Sequence, residues 1–231
     1  MSAILSAFCR LNQIYQLIAP DQKVLIAVSG GIDSLAMAVL LREYQRASGV
    51  NLDLQAVYVR IPQVALSKKD LATLDDFLLK KQIQLKVISG EVSPKDGFSC
   101  YRCAKERRKQ LSLYANQNNF DAVALGHNLE DYLETGLMNL IYHGTLESLQ
   151  PRQLLFGGAV TFVRPLLSIP KKHIIAYMKG LNYPVLKTQC SYASENKRVV
   201  IRQLIRQTTA LQRGFQQNLR AAINRWNQLE I

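Results

Sequence analysis

The chain has 231 residues, of which 48% are hydrophobic. This composition is sufficient for one substantial core, and the length is too short for two full-sized domains. Its 29 Lys and Arg outnumber its 17 Asp and Glu, which gives a net charge of +12. This charge favours a polyanionic partner, and nucleic acid is the first to consider. No apolar run reaches membrane-span length, no signal-peptide pattern opens the chain, and four cysteines do not make a secreted disulfide scaffold, so we expect a cytoplasmic protein with no membrane partner.

The first 20 residues are predicted to form an amphipathic helix. Apolar side chains recur at steps of three and four, and the pattern stops before Pro20. These apolar positions are Ile4, Leu5, Phe8, Leu11, Ile14, Tyr15 and Ile18. We expect this helical segment, residues 1–20, to pack on the main domain.

Residues 29–34, SGGIDS, follow an apolar strand and open an apolar helix. Glycines let the backbone come close to an anion, and helix-start N–H groups with the hydroxyls of Ser29 and Ser34 can hold phosphate. The loop has neither the Lys-Ser/Thr ending of the common nucleoside-triphosphatase loop nor the GxGxxG spacing of dinucleotide folds. It resembles the SGGxDS loop of the N-type ATP pyrophosphatases, the PP-loop family. The resemblance implies ATP cleavage to AMP and pyrophosphate, Asp33 near Mg²⁺, and ATP contacts from Ser29, Gly30, Gly31, Ile32, Asp33 and Ser34.

Strand and helix patterns alternate from this loop onward. The strand segments are KVLIAV, LQAVYV, QLKVIS and DAVALG, and helices are expected to begin at Asp33, Ser67, about Tyr101 and Asn128. Such alternation implies right-handed crossovers and a parallel sheet with helices on both faces. We therefore predict an α/β domain over residues 21–190.

The segment after residue 90 contains a cysteine pair. Cys100 and Cys103 form a CxxC before the basic run AKERRKQL. This spacing alone fits a redox pair, half a zinc site or part of an iron-sulfur site. The other cysteines are Cys9, expected in the core, and Cys190. No second CxxC or CxxH completes a structural zinc site, and three ligands with a vacancy suit catalysis better than scaffolding.

The segment GHNLED follows the strand DAVAL. Gly126 and His127 are therefore expected at the carboxyl edge of the sheet, where such folds bind ligands, and we expect them to contact the nucleotide. Asp131 and Glu130 can hold magnesium-bound phosphate or position a substrate base. Alternatively, both are first-turn acids that complement the helix dipole. His127 fits a structural role as well as a catalytic one.

The pattern changes after residue 150. LLFGGAVTFV predicts a hairpin that turns at Gly157 and Gly158, and Pro170 is expected to open a helix to about Lys179. From Ser194 the chain is predicted to be helical and basic, and residues 191–231 are expected to form a C-terminal segment. One of its faces is expected to pack while another binds a polyanion.

The order of these features over roughly residues 20 to 207 is similar to that of the tRNA 2-thiocytidine synthetases and their thiouridine-forming relatives. The resemblance implies a Rossmann-like, adenine nucleotide alpha hydrolase-like fold, tRNA as substrate, and a [4Fe-4S] cluster held by Cys100, Cys103 and Cys190. It also implies catalytic roles for three residues, which are Asp33, Asp131 and Arg107.

In the expected reaction, ATP adenylates the C2 carbonyl oxygen of a pyrimidine in tRNA, and cytidine is the preferred candidate for that pyrimidine. Sulfide then displaces AMP, which solves the problem that a carbonyl oxygen is a poor leaving group. A cysteine desulfurase or free sulfide is expected to supply the sulfur, and a homodimer is compatible with this interpretation.

Two alternatives remain open at this point. Ile32 stands where thiolating relatives usually carry Lys, and Glu130 replaces the first of their paired aspartates. Lysidine synthetases, which attach lysine to a cytidine and need no cluster, vary at the loop position and have a segment similar to GHNLEDYLET. A non-enzymatic ATP sensor or RNA-binding protein would release no pyrophosphate with any RNA. The three cysteines favour thiolation.

Overall fold

A computed structural model describes residues 2–93, 97–155, 160–184, 186 and 197–231. The predicted alternation of strands and helices is confirmed in these ranges, with a short 3-10 helix at Pro62–Val64. In chain order the elements are α1 (Ala3–Tyr15), β1 (Lys23–Ala27), α2 (Ile32–Ser48), β2 (Asp53–Arg60), α3 (Lys68–Leu79), β3 (Gln84–Ser89), α4 (Cys100–Gln117), β4 (Ala122–Ala124), α5 (Leu129–His143), β5 (Arg152–Leu155), β6 (Val160–Val163), α6 (Lys171–Lys179), α7 (Lys197–Leu211) and α8 (Phe215–Asn227).

Six strands of the described chain form one sheet in the order β3-β2-β1-β4-β6-β5. The neighbours are parallel except at the edge, where β5 runs antiparallel to β6. The predicted hairpin is confirmed by this pair, while its predicted turn at Gly157 and Gly158 lies outside the described residues. Because β1 lies between β2 and β4, the strand order reverses there, and the segments after β1 and β4 meet at the carboxyl edge.

Side chains of the central strands alternate between two cores. Val24 and Ile26 of β1 enter the larger core, to which seven helices contribute, whereas Leu25 enters a smaller core with α4. Those seven helices are α1, α2, α3, α5, α6, α7 and α8. The prediction of helices on both faces is therefore confirmed.

The N-terminal helix is shorter than its apolar pattern suggests. Ile4, Leu5, Phe8 and Leu11 are buried as predicted, but Ile14 is 50% exposed. The prediction for Ile14 is wrong because the helix ends at Tyr15, where Gln16 takes a left-handed φ of 48°, and the following Leu17 and Ile18 fill the core instead.

The C-terminal helices α7 and α8 pack on α5 and share the larger core with α2. The domain boundaries at residues 20 and 190 stay a prediction. No helix in the described ranges is both long enough and apolar enough to cross a bilayer.

Candidate nucleotide and cysteine site

The loop between β1 and α2 is held in shape by its own hydroxyl groups. Gly30 has a φ of 84°, which favours glycine, and Gly31 is the extended N-cap of α2. The Ser29 N–H donates to Ser34 Oγ (3.1 Å), and Ser34 Oγ donates to the Gly31 carbonyl (2.9 Å). The Gly31 N–H donates to Ser29 Oγ (3.3 Å). The serine hydroxyls predicted to bind phosphate therefore also organise the loop.

The first two residues of α2 have different surroundings. The Ile32 side chain packs against the larger core, so the backbone N–H is the part of Ile32 that suits a phosphate. The Asp33 carboxylate accepts a hydrogen bond from Asn128 Nδ2 at 3.2 Å and pairs with Lys171 Nζ. The loop carboxylate is thus positioned by α5 and α6.

Gly126 brings the end of β4 against the first turn of α2. A Cβ atom at Gly126 would lie 3.0 Å from both the Cα and the N of Ser34. Backbone atoms cannot yield as a flexible side chain can, so glycine is required for this close approach. Gly126 thereby sets the distance between the phosphate loop and the neighbouring strand.

Gly126→Ala is expected to weaken ATP binding roughly tenfold, because the added methyl group displaces the helix start by a few tenths of an ångström. Isothermal titration with ATP measures the effect. Gly180→Ala is the matched control, since a Cβ there meets no atom within 4 Å. Equal ATP affinity in Gly126→Ala and the wild type would contradict the role of this approach.

His127 is a neutral ring at the wall of the site. Burial, followed by the positive charges of Arg164, Arg198 and Arg108, lowers the pKa of His127 to about 3. Its Nδ1 atom is buried and has no hydrogen-bond partner among the described residues. At neutral pH this ring therefore offers uncharged nitrogen to a ligand, without acting as a cation.

The two acids of GHNLED have structural partners. Asp131 Oδ2 accepts the Asn128 N–H at 3.0 Å while Asn128 Oδ1 accepts the Asp131 N–H at 3.1 Å, a reciprocal cap of α5. Arg198 Nη1 lies 3.3 Å from Asp131 Oδ1. Glu130 Oε2 accepts the Lys171 N–H at 2.8 Å, and burial raises the pKa of Glu130. The capping alternative is therefore present, and a catalytic role for Asp131 stays a prediction.

Helix α7 directs two arginines at α5. Arg202 donates to both carboxylate oxygens of Glu134, at 2.6 and 3.0 Å, and the Glu134 side chain is only 3% exposed. Arg198 pairs with Asp131 and also lies 3.2 Å from Thr135 Oγ1. These two arginines therefore lie on the face of the basic segment that packs against α5. A polyanion would have to bind other basic residues of the segment.

Two cavities share a wall beside the loop. A cavity of about 260 Å³ contains Ser29, Gly31 and Ser34 of the loop, whereas one of about 770 Å³ contains Cys100. Both are lined by the same three residues, which are Ala104, Arg108 and His127. A ligand at the loop can therefore adjoin a ligand beside the cysteine.

Arg107 lies one turn after Cys103 and lines the loop cavity. Its Nε atom is buried, and no other described residue accepts its hydrogen bond. A buried guanidinium N–H of this kind suits an anionic ligand. The position agrees with the predicted catalytic role of Arg107, which stays a prediction.

The CxxC pair lies in the first turn of α4. Ser99 caps the helix by accepting the Arg102 N–H at 3.2 Å. Cys103 is 9% exposed, and Cys100 is half-buried at the larger cavity. Residues three apart share a helical face, so these thiols fit two ligands of one metal centre.

The remaining ligand predictions concern the other two cysteines. Cys190 lies outside the described residues, and the described ranges contain no group of three His, Cys, Asp or Glu side chains placed to hold a metal. The cysteine triad therefore stays a prediction. Cys9 packs against the larger core, as predicted.

Sequence reasoning missed Lys171 and the positioning roles of Asn128 and Glu134. Lys171 is 138 positions away from its partner Asp33. Pro170 indicated that a helix begins there, but no local pattern indicates which distant group its first side chain meets.

The chain is similar in sequence to known proteins. The sequence profile of the PP-loop domain family matches residues 6–209. The tRNA-cytidine(32) 2-sulfurtransferase of Citrifermentans bemidjiense is 30% identical over 181 residues, which span 76% of this chain and 71% of that protein. The enzyme of the same name from Geobacter metallireducens is 28% identical over 221 residues, 91% of this chain and 84% of that protein.

A solved structure shares the fold. The U34-tRNA thiolase NcsA from Methanococcus maripaludis, solved with its [4Fe-4S] cluster, superposes with a TM-score of 0.80 and 23% identity. The match covers 99% of this chain and 81% of that chain. The predicted Rossmann-like architecture is confirmed by this likeness.

Proposed function

Because this chain belongs to the PP-loop domain family, we propose that it is an ATP-dependent tRNA sulfurtransferase that converts a cytidine to 2-thiocytidine with the help of a [4Fe-4S] cluster. Its curated relatives are named tRNA-cytidine(32) 2-sulfurtransferases. The observation that carries the proposal is the shared wall of Ala104, Arg108 and His127 between the loop cavity and the cysteine cavity.

That wall suits a reaction with two substrates. Activation requires the α-phosphate of ATP to reach an oxygen of the base, and sulfur transfer requires the same carbon to lie beside the cysteines. A base at the junction of the two cavities satisfies both requirements. The larger cavity, at about 770 Å³, also carries Tyr101 and Tyr142, whose rings suit stacking with an unpaired base.

The loop binds the pyrophosphate half of ATP in this proposal. Its N–H groups and the start of α2 stabilise the negative charge that develops as the bond between the α- and β-phosphates breaks. The C2 oxygen of the base forms the new bond to the α-phosphorus, and pyrophosphate leaves. Arg107, which lines the loop cavity, contacts the phosphates in this proposal.

The second half replaces oxygen by sulfur. A carbon–sulfur bond forms at C2, the carbon–oxygen bond breaks, and AMP leaves with the original oxygen. Cys100, Cys103 and Cys190 would hold the [4Fe-4S] cluster, which would present sulfide to C2 when bound. The neutral ring of His127 orients the base without adding charge.

Mg²⁺ is the other inorganic group that the proposal includes. The Asp33 carboxylate is the oxygen donor that suits it, since its side chain is 25% exposed and lines the loop cavity. Magnesium neutralises phosphate charge when bound. The sulfur donor, a cysteine desulfurase or free sulfide, stays a prediction, as do a homodimer and a cytoplasmic location.

The test is anaerobic reconstitution of the protein with iron and sulfide, followed by incubation with ATP and tRNA. We expect 2-thiocytidine by nucleoside mass spectrometry and pyrophosphate release that depends on tRNA. Omitting ATP is the control and should abolish both signals. A colourless protein that forms lysidine would support the ligase alternative, and ATP binding without pyrophosphate release under any condition would support a sensor.

A further inference from the structure

The phosphate loop carries a negative side chain where a polyanion is expected to bind. Residues 28–35, VSGGIDSL, contain no Lys or Arg, and their one ionisable side chain is Asp33. Backbone N–H groups and the helix dipole supply only partial positive charges. A full cation that contacts the departing pyrophosphate must therefore come from another element.

Helix α6 brings an ammonium group to this loop. Lys171 Nζ pairs with Asp33 Oδ2, and the two side chains are 34% and 25% exposed. The Lys171 N–H donates to Glu130 Oε2 at 2.8 Å. The Leu129 N–H donates to the Ile169 carbonyl at 3.1 Å, which ties the start of α5 to the segment before α6. The backbone of Lys171 is thus anchored while its side chain remains accessible.

The ammonium lies beside a cavity that adjoins the loop. Asp33 and Lys171 line a cavity of about 380 Å³, and Asp33 also lines the cavity that contains the loop serines. Asp33 therefore stands between the two spaces. A lysine side chain has a flexible four-carbon stem, so its ammonium can reach a phosphate near Asp33 without movement of α6.

Other cations of this cavity are less suited to the role. Arg202 and Arg206 of α7 also line it. The Arg202 guanidinium is occupied by two hydrogen bonds to Glu134, and the Arg206 side chain is exposed and forms no ion pair with Asp33 in the described residues. Lys171 instead pairs with a single carboxylate oxygen that belongs to the loop helix itself.

We propose that Lys171 is the ammonium that binds the pyrophosphate half of ATP, and that Asp33 holds it beside the loop until the phosphates arrive. This assignment rests on the proposed function. It makes Lys171 a catalytic residue that contacts the departing pyrophosphate, and it adds from α6 a positive charge that the loop sequence lacks, beside that of Arg107 on α4.

The test compares binding of ATP, pyrophosphate and AMP to Lys171→Met by isothermal titration in Mg²⁺ buffer. We expect roughly ten- to a hundredfold weaker binding of ATP and pyrophosphate, because a charge-assisted contact is lost. AMP lacks the group that Lys171 contacts, so its affinity should change less than about twofold. Lys171→Arg retains the charge and should recover most of the pyrophosphate affinity.

Lys172→Met is the matched control, since Lys172 is the exposed neighbour on the same helix. Its affinities should match the wild type. Wild-type affinity for ATP and pyrophosphate in Lys171→Met, or an equal loss for AMP, would overturn the assignment and leave Lys171 a structural counter-ion. Pyrophosphate binding that depends on Lys171 in a protein that never thiolates tRNA would overturn the proposed function while supporting the role of Lys171.

Discussion

Alanine at Cys100, Cys103 or Cys190 is expected to remove bound iron and to lower tRNA thiolation by at least about a hundredfold. Loss of a group that only orients a metal ligand already costs ten- to a hundredfold in affinity or activity, and loss of a ligand should cost more. Iron content and nucleoside mass spectrometry after anaerobic reconstitution measure the two effects.

The cysteine variants should keep the activating half of the reaction. Cys100 lines the larger cavity, while the loop lies in the neighbouring one. ATP affinity should therefore stay within about threefold of the wild type, because the loop contacts are unchanged. Cys9→Ala is the control, since Cys9 packs in the core, and it should retain iron. Retained iron and retained thiolation in all three site variants would exclude the cluster role.

Asparagine at Asp33 is expected to slow tRNA-dependent pyrophosphate release by about a hundredfold or more, because one lost electrostatic group in a preorganised site typically costs that much. The amide keeps the shape of the side chain but removes the negative charge that pairs with Lys171. Iron content should be unchanged, since Asp33 is not one of the three predicted cluster ligands. A coupled assay for pyrophosphate measures the rate.

Asp76→Asn is the matched control for Asp33→Asn. Asp76 of α3 forms a comparable aspartate–lysine pair, at 2.6 Å, with Lys80 just after the helix, but both side chains are largely exposed. Such surface pairs contribute about 1 kcal/mol at most, so the control should release pyrophosphate at the wild-type rate. A rate for Asp33→Asn within about threefold of the wild type would remove Asp33 from the activating machinery.

The cysteine variants and Asp33→Asn should separate the activation step from the sulfur-transfer step of the proposed reaction. Cysteine variants should release pyrophosphate without forming thiocytidine, whereas Asp33→Asn should do neither despite its iron. This division follows from the two cavities and their common wall at Ala104, Arg108 and His127. A single loss of both activities in every variant would instead indicate one inseparable site.

The fold was largely predictable because its signals are local. After Lys23, strand β1 is a continuous apolar run, and helix ends are marked within a few residues, as by Gly144 with its φ of 70° after α5. Ile14 is the exception. Its exposure depends on where the helix ends, and the spacing of apolar residues does not indicate that position.

The site was predictable in its motifs but not in its pairings. SGGIDS and CxxC identify chemistry by residue type and spacing, and SGGIDS lies between β1 and α2 as predicted. The pairing of Asp33 with Lys171 and of Glu134 with Arg202 depends on which helices pack together across the fold. Asp131 combines both kinds of contact. Its carboxylate caps α5, which is a local contact, and also pairs with Arg198 of α7, which is a distant one.

The sequence by itself determined the α/β alternation, the phosphate loop and the cysteine pair, because hydrophobic period, glycine placement and ligand spacing act within a few residues. Only the tertiary structure decided that Lys171 meets Asp33 and that His127 stands between two cavities. Those contacts join residues far apart in the chain, so their geometry is set by the packing of whole helices on the sheet.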